Sequence, residues 1–346
     1  MSKMHKSGLV LAGMALSFLS ASSNPASAQA ASEFYRDKTV TIVVGHEPGT
    51  GFDIYSRALI QFYGKHIAGQ PKVIVQNMPG ASGVSAANWV YNIAPKDGTV
   101  LGTFSQNITV ERLFGNTSAK YDAAAFNWIG NMEESAAACA FSPAAGIKDF
   151  DDVFKREIVI GAVGATGPIG QSGRALNNLF GTKLKIIYGY KGTASVKLAV
   201  QNDEVKGICG LPISTFKAFW KDLLDNGGIK MMLQMSSKPL TEFAGLKHID
   251  SYVKTDEQRQ IVDLIFGTQV LGRIYTAPPG VSTDRVNALR EGFMRTMKDP
   301  EFITYAEKAQ IYLSPASGEE VQALVKRFQE ASPAIVEKAM AAIKPD

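Results

Sequence analysis

Short apolar runs alternate with stretches of helical periodicity along most of this chain. The run Thr39–Val44 is rich in β-branched residues and stops at Gly45, which predicts a buried β-strand. A turn at Pro48-Gly49-Thr50-Gly51 follows, and from about Asp53 to Ile67 apolar residues recur every three or four positions, as on one face of a helix. Two more strands are predicted at Val73–Val75 and Val100–Phe104. This order favours a parallel sheet flanked by helices.

A second series of the same kind begins later in the chain and predicts a second α/β lobe. Its strands are expected at Ile158–Gly161, Leu184–Ile187, Val205–Cys209 and Met231–Met235. The C-terminal part of the chain, from about Ser282, is predicted to be helical, at Val286–Met297, Glu301–Lys308 and Glu319–Met340.

The N-terminus has the pattern of a secretory signal peptide. Lys3 and Lys6 precede an apolar run, Leu9–Leu19, and small residues follow up to Ala30. The apolar run is shorter than the ~20 residues that a membrane-spanning helix needs, which disfavours a membrane anchor. Residues 1–30 are therefore predicted to be removed on export, and cleavage after Ala28 or after Ala30 fits equally well.

Composition narrows the function classes further. Without Lys3 and Lys6, the 36 basic residues fall to 34 against 32 acidic ones, a balance that does not indicate a nucleic-acid partner. The four histidines are too few and too scattered to predict a metal site. In an oxidising compartment Cys139 and Cys209 either form a disulfide or remain two buried thiols, and the sequence leaves both open.

Three glycine-rich turns lie between a predicted strand and a predicted helix: Gly49-Thr50-Gly51, Gly80–Gly83 and Gly161–Gly170. Backbone N–H groups and the helix dipole favour an anion at such a position. Each turn alone is a weak signal, since glycine is common in turns for backbone reasons. Three turns on the carboxyl side of strands can converge on one crevice.

Enzyme motifs fit this chain poorly. The glycines around Thr50 lack the third glycine of a dinucleotide-binding fingerprint, and no phosphate-binding GxxxxGK[ST] loop is present. Gly80–Val84 lacks the last glycine of a nucleophile elbow, and His46-Glu47 is not followed by the second histidine of a zinc-binding helix.

Several segments resemble, in order, those of the solute-binding receptors of tripartite tricarboxylate transporters, the Bug family. Val43–Asp53 with Arg57 is similar to the family's opening strand, glycine triplet and helix start. The other matching segments are Asn77–Gly83, Pro95–Leu101, Tyr190-Lys191-Gly192 and Ala277–Val281. Together the matches extend from about Phe34 to Lys344, which is essentially the whole predicted mature chain.

This resemblance implies an α/β periplasmic binding protein of the two-lobed, type II-like fold. Each lobe would be a mainly parallel sheet flanked by helices, with the ligand in the cleft between the lobes. Residues 31–137 would begin lobe 1, residues 138–270 would form lobe 2, and residues 271–346 would return to lobe 1 and end in the C-terminal helices.

The implied function is capture of a small organic acid, either a di- or tricarboxylate or an aromatic carboxylate. The receptor would deliver it to a membrane transporter with one large and one small integral subunit. It is expected to be a monomer that needs no cofactor or metal and catalyses no reaction. Two alternatives stay open: a periplasmic sensor module that signals to a partner, and an exported enzyme.

Carried over by position, the resemblance predicts ligand contacts from loops of both lobes. The predicted ligand-binding residues are Gly49, Thr50, Gly51, Phe52, Asp53, Ser82, Gly83, Ser105, Gln106, Asn107, Gly164, Ala165, Thr166, Gly167, Tyr190 and Lys191. Backbone amides and hydroxyls in such a set can hold a carboxylate without a desolvated counter-cation.

Two residues in the first loop allow more than one interpretation. Asp53 is expected to cap the helix N-terminus and to orient a water rather than to touch the ligand directly. His46 replaces a residue that is usually apolar or proline in the family. If His46 faces the ligand, binding should strengthen as the pH falls through about 6.5; a solvated loop histidine is the alternative.

Overall fold

The structure is a computed structural model that describes residues 25–165, 168–240 and 243–344. Most of the predicted signal peptide, residues 1–24, therefore lies outside the described residues. Its last residues belong to the first helix, α1 (Pro25–Tyr35), in which Ala31 and Tyr35 are buried. No helix among the described residues has the length and apolar character needed to cross a membrane.

Six strands form the first sheet: β1 (Thr39–Val44), β2 (Lys72–Asn77), β3 (Val100–Thr103), β4 (Asn127–Asn131), β11 (Ile274–Ala277) and β12 (Ala316–Ser317). Their spatial order is β12-β4-β11-β3-β1-β2. Strand β1 pairs in parallel with β2 and β3, whereas β11 is antiparallel to β3 and β4, and β12 is antiparallel to β4. The sheet is thus mixed, and the expected parallel arrangement holds only for its β2-β1-β3 half.

Helices cover both faces of this sheet: α2 (Gly51–His66), α3 (Val84–Asn92), α9 (Thr283–Met297), α10 (Pro300–Lys308) and α11 (Gly318–Gln329). Strand β1 shows why its sequence is almost continuously apolar. Val40, Ile42 and Val44 pack in one core with residues of α2 and α9, while Val43 packs in the other core with residues of α3. A strand covered on both faces needs apolar residues at odd and even positions alike.

A second sheet has four strands, β5 (Ala137–Phe141), β8 (Gly207–Pro212), β9 (Lys230–Met235) and β10 (Lys247–His248), in the order β10-β9-β5-β8. Strand β5 is antiparallel to β8 and β9, whereas β9 and β10 are parallel. This sheet is also mixed, because β5 enters it from the opposite direction. The expectation of a mainly parallel second lobe is therefore wrong for the strands around β5.

Beside it, β6 (Ile158–Gly161) and β7 (Leu184–Ile187) form a parallel pair. The Lys206 N–H joins this pair to the start of β8 by donating to the Val159 carbonyl at 2.7 Å. The helices of this region are α4 (Pro168–Phe180), α5 (Thr193–Gln201), α6 (Ile213–Phe219), α7 (Lys221–Asp225) and α8 (Asp256–Phe266).

Two segments cross between the sheets, and we name them the crossing segments: residues 132–136 between β4 and β5, and residues 271–273 before β11. They are hydrogen bonded to each other, because the Met132 N–H donates to the Arg273 carbonyl at 2.9 Å and the Gly272 N–H donates to the Glu133 carbonyl at 3.0 Å. The division at residues 137 and 270 stays a proposal.

The C-terminal part differs from the expected single helix Glu319–Met340. It consists of α11 and a separate α12 (Pro333–Ile343), because Ser332 caps α12 through its hydroxyl and Pro333 occupies the first helical turn. Helix α12 packs against α4 and α8.

Cys139 and Cys209 are joined by a disulfide between neighbouring strands β5 and β8, with a Cα–Cα distance of 4.0 Å. Of the two alternatives that the sequence allows, the structure therefore shows the bridge.

Candidate functional site

The loop after β1 brings backbone donors to the start of α2. Thr50 is the N-cap residue, and its hydroxyl donates to the Glu47 carbonyl at 2.8 Å, which tightens the turn. Gly49 has φ +81°, a left-handed conformation that favours glycine. The first hydrogen bond within α2 runs from the Ile54 N–H to the Thr50 carbonyl. The N–H groups of Gly51, Phe52 and Asp53 therefore point out of the positive end of the helix dipole.

Asp53 holds this loop in place. Its carboxylate accepts hydrogen bonds from the Gly49 N–H at 2.8 Å, from Arg57 Nε at 2.9 Å and from Asn77 Nδ2 at 2.9 Å. Burial alone would raise the pKa of Asp53, but these hydrogen bonds outweigh it and bring the pKa to about 2. The expectation that Asp53 is the N-cap is wrong, because α2 begins two residues earlier and Thr50 occupies that position. Asp53 is an ionised group in the first helical turn.

The loops after β2 and β3 meet the loop after β1. A Cβ at Gly45 would lie 2.7 Å from the Gly83 Cα, and a Cβ at Gly83 would lie 3.1 Å from Phe104 Cβ and 3.5 Å from the Ser105 backbone nitrogen. Asn77 adds a link, since its Nδ2 also donates to the His46 carbonyl at 3.0 Å. The structure therefore brings these predicted segments together at the carboxyl ends of three neighbouring parallel strands.

The remaining predicted residues of these loops lie in short 3₁₀ turns. Ser82 belongs to the turn Ala81–Gly83, which leads into α3. Ser105 precedes the turn Gln106–Thr109, in which the Gln106 carbonyl accepts a hydrogen bond from the Thr109 hydroxyl at 2.7 Å.

The corresponding loop of the second region follows β6. Gly164 and Ala165 are described, whereas the predicted contacts Thr166 and Gly167 lie outside the described residues. Buried Arg174 organises this loop and the C-terminal helix together. It donates to the Ala165 carbonyl, to the Ile343 carbonyl through Nε at 3.0 Å, and to the Tyr188 hydroxyl at 2.6 Å.

Tyr190 and Lys191 lie in the loop after β7. The Tyr190 ring is close to Gly161, where a Cβ would lie 3.3 Å from the ring, so the loops after β6 and β7 are neighbours. Partial burial, followed by the negative charge of Glu204, raises the pKa of Tyr190. Lys191 is exposed.

A cavity of about 690 Å³ lies between the turn after β3 and the start of α4. Its walls include Asn107, Pro168, Gln171, Thr268 and Lys344. Asn107 is the predicted ligand residue that it contains. Of the described residues of the three glycine-rich turns, Pro168 lines the cavity, so the cavity flanks the predicted contacts.

A cluster of side chains beside the start of α2 was not predicted from the sequence. Two of its members, His46 and Phe52, were candidate residues, but the presence of Arg273 and Glu133 in it was not expected. The Arg273 guanidinium lies 4.7 Å from the ring centres of both Phe52 and Tyr55, and its Nη2 is 3.9 Å from Glu133 Oε2. His46 stacks on Phe52 with a ring-centre distance of 4.3 Å.

His46 is half-buried, so it is not the solvated loop histidine of the alternative interpretation. Burial, and then the nearby positive charge of Arg273, lower its pKa from the ordinary 6.5. His46 therefore stays neutral at neutral pH. Among the described residues, no group of three or more His, Cys, Asp or Glu side chains is arranged to hold a metal ion.

Comparison with known proteins gives a consistent result. No family model matches this chain. A curated Cupriavidus necator protein, "UPF0065 protein in gbd 5'region", is 24% identical over 282 residues, which cover 80% of this chain and 79% of that protein. A TctC solute-binding protein from Polaromonas, solved with no ligand, superposes with a TM-score of 0.69 at 18% identity, over 88% of this chain and 99% of that one.

Rpa4515 from R. palustris, solved with adipate, superposes with a TM-score of 0.57 at 18% identity, over 88% of this chain and 97% of that one. At these identities the likeness establishes the fold, which is that of the α/β periplasmic binding proteins. The fold prediction is confirmed, with mixed sheets in place of mainly parallel ones, and so is the resemblance from which it came.

Proposed function

We propose that this protein is an exported solute-binding receptor of the TctC/Bug type that captures a small organic acid in the periplasm. The observation that carries the proposal is the start of α2: the N–H groups of Gly51, Phe52 and Asp53 lie ahead of the first hydrogen bond of the helix, and the loop after β1 that leads to them packs against the loops after β2 and β3. Helix N-termini of this kind favour anions, because unpaired donors and the positive end of the dipole point the same way.

The chemistry of Asp53 supports binding rather than catalysis. A general acid or base must exchange a proton near the working pH. The pKa of Asp53 is about 2, and its carboxylate is already bonded to Gly49, Arg57 and Asn77. It stays ionised at neutral pH and serves to fix the loop that carries the backbone donors.

The ligand class rests on the same donors and on one relative. Backbone N–H groups suit the two oxygens of a carboxylate, and Rpa4515 from R. palustris was solved with adipate. We propose a di- or tricarboxylate or an aromatic carboxylate as ligand, with contacts from the sixteen positions predicted above. Delivery to the large and small membrane subunits of a tripartite tricarboxylate-type transporter completes the proposed role.

The test is calorimetric titration of the full protein purified from the periplasm of an expressing bacterium. Unfolding in denaturant and refolding, with the disulfide kept oxidised, removes any acid carried over from the cells. The probes are succinate, adipate, citrate and benzoate, each with its amide as matched control. Binding of at least one acid at micromolar strength, with no response to its amide, is expected. Failure of every acid to bind would refute the proposed ligand class.

Delivery needs a separate experiment, because a sensor module would bind the same acid. Membrane vesicles containing the large and small subunits of a tripartite tricarboxylate-type transporter from the same organism should take up the radiolabelled acid only when the receptor is added. Uptake that is independent of the receptor would refute the transport role and leave binding intact.

A further inference from the structure

The start of α2 carries a positive side chain that comes from a distant part of the chain. Arg273 belongs to the crossing segment 271–273, and its guanidinium lies across the first turns of α2, 4.7 Å from the rings of Phe52 and Tyr55. A Cβ at Gly51 would lie only 2.8 Å from Arg273 Nη2. Glycine at position 51 therefore leaves room for the guanidinium, and a side chain there would have to displace it.

This arrangement places two positive groups side by side. The N-terminus of a helix is equivalent to roughly half a positive charge, and Arg273 adds a full one within the first turn. Without an anion the two repel each other. Glu133, which is 2% exposed, offsets part of this charge, but at 3.9 Å it makes no hydrogen bond to the guanidinium.

Donor capacity is left over in this cluster. Arg273 donates through Nη1 to its own neighbour's carbonyl, Gly272, at 2.5 Å. In the part of the chain that the structure describes, Arg273 Nε and Glu133 Oε2 are buried and have no hydrogen-bond partner. Buried polar atoms usually have a hydrogen-bond partner, and where the protein supplies none a water or a bound molecule can fill that place. The guanidinium side chain is 23% exposed, so it is accessible to a small molecule.

We propose that Arg273 binds the carboxylate of the captured acid and makes the site selective for a charged carboxylate over its neutral amide. This inference rests on the proposed function. Gly51 keeps the guanidinium against the helix end, and Glu133 is a positioning residue that holds Arg273 in the ligand-free protein. The expectation of a site without a desolvated counter-cation is replaced by one in which backbone donors and a guanidinium act together.

The test compares Arg273→Gln with the unchanged protein against succinate, adipate, citrate and benzoate and their amides. Hydrogen bonds to charged groups contribute about 1.5–3 kcal/mol, which corresponds to roughly 10- to 100-fold in affinity. Affinity for the acid should fall by that factor, and the preference for acid over amide should shrink by the same factor, because only the backbone donors of α2 remain to favour the anion. Arg273→Lys should restore part of the preference, because it keeps the charge but loses the fork of donors.

Arg295→Gln is the matched control, since it also removes one guanidinium, from an exposed pair with Glu291 on α9. It should leave both affinities unchanged. If the unchanged protein binds no acid, the proposed function fails. If it binds an acid and Arg273→Gln binds that acid equally well, only the role of Arg273 is refuted.

A second variant covers the case in which Arg273→Gln does not fold. Gly51→Ala places a methyl group against Nη2 and should displace the guanidinium while leaving its charge in the protein. The expected result is weaker acid binding and a reduced preference over the amide. If Arg273→Gln folds, adding Gly51→Ala to it should reduce the acid affinity little further, because the guanidinium that the methyl group would displace is already absent. Unchanged acid-over-amide preference in Gly51→Ala would overturn the proposal.

Discussion

Asp53 offers the sharpest test of how the first loop is built. In Asp53→Ala, the Gly49 N–H and Arg57 Nε lose their acceptor, and Asn77 Nδ2 keeps only the His46 carbonyl. In Asp53→Asn the shape is kept, but the new amide group faces donors where an acceptor is needed. Both variants act on the loop that holds the backbone donors of the proposed site.

The three hydrogen bonds do not contribute equally. Arg57 is half-exposed and regains water, so its pair contributes about 0.5 kcal/mol. The bond to Asn77 lies inside the cluster and joins a donor to a charged acceptor, which contributes about 1.5–3 kcal/mol. With the Gly49 bond, the free energy of unfolding of Asp53→Ala should fall by about 3 kcal/mol. Releasing even one backbone residue before binding costs about 1–2 kcal/mol, so acid affinity should fall about tenfold or more.

Urea unfolding and calorimetric titration measure the two effects. Asp284→Ala is the control, because Asp284 is an exposed acid in the first turn of another helix, α9. Its effect on the free energy of unfolding should stay within about 0.5 kcal/mol.

The pH dependence of stability tests the charge of Asp53 separately. The folded pKa of Asp53, about 2, lies below the ordinary 3.8. Its stabilisation is therefore complete above pH 3.8 and is lost as the pH falls towards 2. Equal stability of Asp53→Ala and the control would refute the tethering role.

Three further predictions concern other parts of the molecule. Gly49→Asp should abolish acid binding, because it puts a negative charge beside the backbone donors of the first loop. Nothing lies within 4 Å of the new Cβ, but a side chain at φ +81° is strained, so the free energy of unfolding should fall by about 1–2 kcal/mol while the protein still folds. Calorimetry and the unfolding curve check both effects, and retained affinity would move the site elsewhere. Replacing Cys139 and Cys209 by alanine should lower the free energy of unfolding by about 4 kcal/mol, because the bridge closes a long loop, without loss of acid binding; unchanged urea unfolding would contradict this. The folded pKa of His46 lies below 6.5, so the free energy of unfolding should decline as the pH falls below 6.5. His46→Gln should flatten this decline in unfolding experiments, and a pH profile that the substitution leaves unchanged would contradict the prediction.

Several strands, in the first region and in the second, were predictable from their apolar runs. Thr39–Val44, Ile158–Gly161 and Leu184–Ile187 have in the structure the bounds that the apolar runs predict. The strand Asn127–Asn131 was missed, because its sequence, Asn-Trp-Ile-Gly-Asn, has polar ends and a glycine. Its five residues are nearly all buried only because β11 and β12 pair with it from the far end of the chain.

The mixed character of both sheets could not be predicted from local pattern. Apolar periodicity reports how deeply a strand is buried, not the direction in which it runs. The direction of β5 is reversed because the chain crosses from the first sheet through residues 132–136. The break before α12 is different, since Ser332 and Pro333 are the ordinary signals of a helix start and stand in the sequence.

The glycine loops show how far a motif can be interpreted. Gly49, Gly51 and Gly83 follow from local patterns, because glycine turns between strands and helices indicate anion sites wherever they occur. Arg273 does not, because an isolated arginine ahead of a strand has no local signal, and only the fold brings it to α2. Gly51 links the predictable loop to the unpredicted arginine, because a Cβ at position 51 would lie 2.8 Å from Arg273 Nη2. A glycine that appears to serve only its own loop thus also marks the space occupied by a charged group from elsewhere, and substitution at that position reports on both.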